Sequence, residues 1–141
     1  MNFPRGLAFP DLELPPIDRE LPLSDADIYS VDDVTTTEID DALSVSTLPD
    51  GNLRVGVHVA APGLSVTRDS EFDKLARARL STVYMPGDKI PMQPDNVIRA
   101  FSLDAGREVP VLSLYVTANP ETGEVIAVSY THLTLPTNRE V

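Results

Sequence analysis

The stretch ALSVSTLPDGNLRVGVHVA, residues 42–60, constrains the fold more than any other part of the chain. Two apolar runs flank Pro49–Asn52, and Asp-Gly between such runs is a strong hairpin signal. The pattern predicts a strand over Ala42–Leu48, a turn over Pro49–Asn52 and a return strand over Leu53–Ala60. In the return strand, Leu53, Val55, Val57 and Val59 alternate with Arg54, Gly56, His58 and Ala60. A period of two gives one apolar face, expected to be buried, and one polar face carrying His58. On that face His58 reads as a structural or supporting residue rather than a general base or metal ligand.

A hairpin needs partners. Strands are expected over Ile28–Val31, Val109–Ala118 and Val125–Ser129, the last two joined by a turn at Asn119–Gly123. Asp69 or Ser70 is placed to cap a helix over Glu71–Leu80. Its acids, Glu71 and Asp73, lie in the first turn, and Lys74, Arg77 and Arg79 follow, an order that suits the helix dipole. Ser81–Tyr84 reads as extended, MPGDKIPMQP as a proline-pinned loop and Pro94–Ala100 as a helical turn. Residues 1–26, with five prolines, read as an extended lead-in. The final segment, SYTHLTLPTNREV, carries no cap or pairing pattern and resembles a translated sequencing-adapter junction. Residues from 129 onward are therefore expected to be a non-native tail.

A length of 141 residues suits one domain with one core, and 42% hydrophobic residues exclude wholesale disorder. Cysteine is absent, which excludes a disulfide framework, a thiolate zinc site and a thiol nucleophile, and suits a cytoplasmic protein. No apolar run is long enough to span a bilayer, and the N-terminus lacks the pattern of a signal peptide. Net charge is −11, which taken alone argues against nucleic acid. The distribution is uneven, however: 12 of the 22 acidic residues lie in the first 50 positions, whereas Arg54–Arg107 is nearly balanced.

Within the acidic third, Asp32, Asp33, Glu38, Asp40 and Asp41 fall within ten positions, immediately before an apolar strand. Alternation points Glu38 and Asp40 the same way, Asp32 can return to them across the loop, and Asp41 can join if the backbone kinks. Converging carboxylates repel one another unless a cation sits among them, and hard oxygen donors select Mg²⁺, Mn²⁺ or Ca²⁺. An EF-hand loop is excluded because its glycine is missing. The spacing leaves two readings open: a Mg²⁺ site that orients a phosphodiester and water, or a solvated acidic loop.

The segment SVDDVTTTEIDDALSV resembles the metal-binding signature of the ribonuclease II, or RNB, family. LRVGVHVAAPG, FDKLARARLSTVYMPGDKIPMQPDNV and FSLDAGREVPVLSLYVT continue the resemblance in order, from Ile28 to Ala118. The resemblance implies hydrolysis of single-stranded RNA from the 3′ end to nucleoside 5′-monophosphates, with Mg²⁺ as cofactor and Mn²⁺ able to substitute. It implies that Asp32, Glu38, Asp40 and Asp41 hold the metal, with Asp40 and Asp41 catalytic and Asp41 closest to the chemistry. Glu38 departs from the family's usual aspartate, and Ala61 stands where many members carry aspartate. Tyr84 matches an aromatic that stacks on a base, although without that match it reads as a half-buried tyrosine packed on the proline loop. Arg77, Arg79 and Lys89 read either as RNA-phosphate contacts or as solvated charges.

The implied fold is α+β: a mixed, mostly antiparallel sheet with short helices, forming an incomplete RNB catalytic domain over residues 27–128. Family members are several times longer, carry RNA-binding barrels, and supply an arginine and a glutamate from a later segment. The fragment alone is accordingly expected to be inactive, and the full-length form monomeric, without membrane or organic cofactor. A degenerate RNB-like module that binds RNA or protein without catalysis is the alternative.

Overall fold

The computed structural model describes residues 7–33, 35–136 and 139–140. Residues 1–6 of the expected lead-in and 137, 138 and 141 of the expected tail lie outside these. The chain divides into two compact units, Met1–Asp18 with Pro62–Ala100, and Arg19–Ala61 with Phe101–Val141. The architecture is α+β, with a mostly antiparallel sheet and two short helices.

The second unit is a six-stranded sheet. Its strands are β1 (Ile28–Ser30), β2 (Asp41–Thr47), β3 (Leu53–Ala60), β6 (Glu108–Ala118), β7 (Val125–Pro136) and β8 (Arg139–Glu140), in the order β7-β6-β3-β2-β1-β8. All neighbours are antiparallel except β1 and β8. The β2–β3 hairpin forms as expected. Gly51 sits at φ +84, a conformation that favours glycine, and Leu48 and Asn52 close the turn.

The buried face is the opposite of the one expected. Gly56 and His58 of β3 are buried, as are Ala42 and Ser44 of β2 and Val109, Val111 and Ser113 of β6. Leu43, Val45, Val59, Leu112 and Leu114 lie exposed on the other face, Val45 at 60%. The covered side is filled by Ile28, Ile39, Ala42, Leu103, Val109, Val111 and Leu135, with Ala26 and Leu133 against them. His58 fits there because both ring nitrogens are satisfied: Nε2 lies 2.8 Å from Ser44 Oγ, and Nδ1 lies 2.8 Å from Ser113 Oγ. His58 is thus structural, and burial holds its pKa below the ordinary histidine value.

Strand β7 runs seven residues beyond the expected Ser129, pairing Tyr130–Pro136 with Glu108–Leu114. Thr134 also donates to Pro22 O and accepts from Ser24 N–H, each at 2.9 Å. Partners from distant segments supply a pairing that the local pattern does not show.

The first unit holds α1 (Glu71–Arg79), the hairpin β4 (Val83–Met85) and β5 (Asp88–Ile90), and α2 (Asp95–Phe101). Ser70 caps α1, its Oγ accepting from Asp73 N–H at 3.2 Å. Residues expected as a loop instead form a two-residue hairpin with Gly87 at φ +79.

Candidate functional site

The acidic segment is built by one local turn and two contacts with distant segments. Asp33 Oδ1 accepts from Thr35 N–H at 2.9 Å and Thr35 Oγ1 at 2.8 Å, which turns the chain. The backbone bond from Thr35 holds the exposed Asp33 carboxyl below its usual range. Further on, Ile39 is 2% exposed, with its N–H on Ser102 Oγ and its carbonyl on Leu103 N–H. Asp40 O then accepts from Ala60 N–H at 2.8 Å, and the sheet register begins at Asp41, opposite Val59.

Alternation breaks at this point. Ile39 and Ala42 are both buried, and Asp40 and Asp41 between them are both exposed. This is the kink at the strand start that lets two consecutive carboxylates face solvent. Glu38 and Asp32 are half-buried. Among the described residues, no three His, Asp or Glu side chains converge to hold a metal ion. The expected convergence of three or four carboxylates is therefore not present among the described residues. The donor chemistry still suits Mg²⁺, which is commonly held through one or two carboxylates, waters and substrate phosphates. Asp40 and Asp41 fit that mode.

In the first unit, Tyr84 is 72% exposed, so it is not a half-buried packing residue. It stands opposite Lys89 across the β4–β5 hairpin, flanked by Val83 and Met85, which are also exposed. Arg77 pairs with Asp73 at 2.7 Å and with Asp69 at the start of the helix. Arg79 requires a correction. It is 5% exposed, donates to Pro91 O at 2.8 Å and Leu7 O at 2.7 Å, and stacks 3.6 Å over the Phe9 ring. These contacts fasten the N-terminal segment and leave the guanidinium little access to a phosphate.

Sequence reasoning missed Ser102, Ser44 and Ser113. Each acts through a partner on another strand or loop, so no local spacing marks them. Ser102, 63 residues from Ile39, carries no signal in the acidic segment itself.

The RNB domain model matches residues 20–137. Exoribonuclease 2 of Buchnera aphidicola is 36% identical over 108 residues, 76% of this chain and 17% of that protein. Exoribonuclease 2 of Escherichia coli is 36% identical over 100 residues, 70% of this chain and 16% of that protein. Among solved structures, Mycoplasma genitalium RNase R in complex with double-stranded RNA is 25% identical with a TM-score of 0.78, covering 85% of this chain and 21% of that one. Yeast Ssd1, a pseudonuclease, is 22% identical with a TM-score of 0.81, covering 92% of this chain and 17% of that one. The chain thus spans about a sixth of the curated relatives' length, and it belongs to the RNB domain family.

Proposed function

We propose that this chain is part of a Mg²⁺-dependent exoribonuclease that hydrolyses single-stranded RNA from the 3′ end to nucleoside 5′-monophosphates. The observation that carries this reading is the RNB match, which contains the whole acidic segment, together with 36% identity to Exoribonuclease 2. Asp40 and Asp41 face solvent side by side, and in this reading they hold the metal with help from Asp32 and Glu38. When bound, Mg²⁺ supplies an activated water and offsets charge on the phosphodiester. Asp41 orients the reacting groups. Tyr84 offers an open aromatic face for base stacking, which contributes about 1–3 kcal/mol per base and tolerates any sequence. Arg77 and Lys89 are the remaining candidates for phosphate contact. In this reading the full-length protein acts in the cytoplasm as a monomer.

A second reading, a binding module without catalysis, is favoured by one observation: no three acidic side chains converge among the described residues. Replacing the matched segment of Escherichia coli Exoribonuclease 2 with residues 20–137 separates the two readings. The nuclease reading expects mononucleotide release that stops on chelation and resumes with Mg²⁺. A chimera that folds and binds RNA but releases nothing would favour the binding module.

A further inference from the structure

Ile39 lies between Glu38 and Asp40, and a segment 63 positions away grips its backbone from both sides. Ile39 N–H donates to Ser102 Oγ at 3.1 Å, and Ile39 O accepts from Leu103 N–H at 2.9 Å. The Ser102 hydroxyl donates to Asp104 Oδ1 at 2.7 Å, which aims its lone pairs back at Ile39. Asp104 is itself held by Arg107 at 3.2 Å. Ser102 is 4% exposed and Leu103 is 3% exposed. In an ordinary ladder a neighbouring backbone carbonyl accepts such an N–H, whatever the residue. Here a side chain accepts it, so this half of the grip depends on the identity of one residue, whereas the bond from Leu103 N–H does not.

The grip has a geometric consequence. With Ile39 locked inward and Ala42 buried three positions on, the two residues between them have no inward position left. We propose that Ser102 is a positioning residue for the carboxylate segment: by locking Ile39 it holds Asp40 and Asp41 in their shared outward arrangement. This rests on the metal-dependent nuclease reading. Ser102 touches neither RNA nor metal and acts only through Ile39, with Asp104 orienting its hydroxyl.

The test uses the isotopically labelled 141-residue chain. Amide exchange at Ile39 reports the grip, and Mn²⁺-induced broadening of the Asp40 and Asp41 signals reports the carboxylates. Ser102→Ala is expected to speed exchange at Ile39 and to raise the Mn²⁺ needed for half-broadening about ten-fold, at the lower end of the loss seen when a ligand's supporting partner is removed. Ser102→Thr, which keeps the hydroxyl, is expected to restore both. Leu75→Ala, a core truncation in the first unit and outside the cluster that holds Ile39 and Leu103, is expected to leave the Mn²⁺ requirement unchanged. Faster exchange in Ser102→Ala with an unchanged Mn²⁺ requirement would overturn the positioning role and leave the metal reading standing. An equal shift in Leu75→Ala would do the same. No broadening at Asp40 and Asp41 in the unsubstituted chain would sink the metal reading, and the positioning role with it.

Discussion

Gly56 and His58 show how one residue sets what another can do. The His58 ring leans over Gly56 to reach Ser44, so a Cβ on Gly56 would stand 2.7 Å from His58 Nε2 and closer still to Ser44 Oγ. Gly56→Ala is therefore expected to cost about 1–3 kcal/mol, read as a lower denaturant midpoint with an unchanged slope. His58 also ties stability to pH. Its folded pKa is depressed by burial, so the unfolded chain binds the proton more tightly. Stability is then full above the ordinary histidine pKa near 6.5 and falls as pH drops below it. Thermal melts from pH 7.5 to 5 are expected to show this decline, and His58→Gln, which cannot take up the proton, is expected to flatten it. The alternation around these residues was legible in the sequence, but the side that would be covered was not. Hydrophobicity favours the valine face, and only Ser44 and Ser113, on neighbouring strands, make the Gly56–His58 face a stable interior.

Among the elements, the β2–β3 hairpin and α1 were readable because their signals are local: Asp-Gly in the turn, Ser70 as cap, acids before bases. The β4–β5 hairpin was hidden by prolines that read as loop, and the length of β7 was hidden because its partners, β6 and Pro22–Ser24, are distant in sequence. The sheet's two faces can be checked with one chemical change made twice. Val111→Thr buries a hydroxyl in a fully covered site and is expected to cost about 1–3 kcal/mol. Val59→Thr, at 45% exposure, is expected to stay within about 0.5 kcal/mol. Equal costs in urea unfolding would contradict the assignment of faces. In the first unit, Arg79→Ala removes the donors that Leu7 O and Pro91 O share and the cation that Phe9 stacks on. It is expected to free residues 7–12 to proteolysis.

At the scale of the molecule, a net charge of −11 opposes RNA, and the site that the RNB signature marks is itself acidic. Charge alone made the acidic segment ambiguous. The family resemblance favours the metal-site reading proposed above, and the structure exposes Asp40 and Asp41 together by a kink that no spacing rule announces. Metal binding by so few carboxylates leans on substrate phosphates, so RNA and Mg²⁺ are expected to bind with mutual dependence. The most direct measurement is the shortening of 5′-labelled single-stranded RNA by the Exoribonuclease 2 chimera carrying residues 20–137, with and without Asp41→Asn. The expected result is stepwise loss from the 3′ end, slowed on the order of 100-fold or more by Asp41→Asn, with RNA binding retained. Equal rates for the two proteins, or no shortening by either while RNA is still bound, would contradict a catalytic role for this segment.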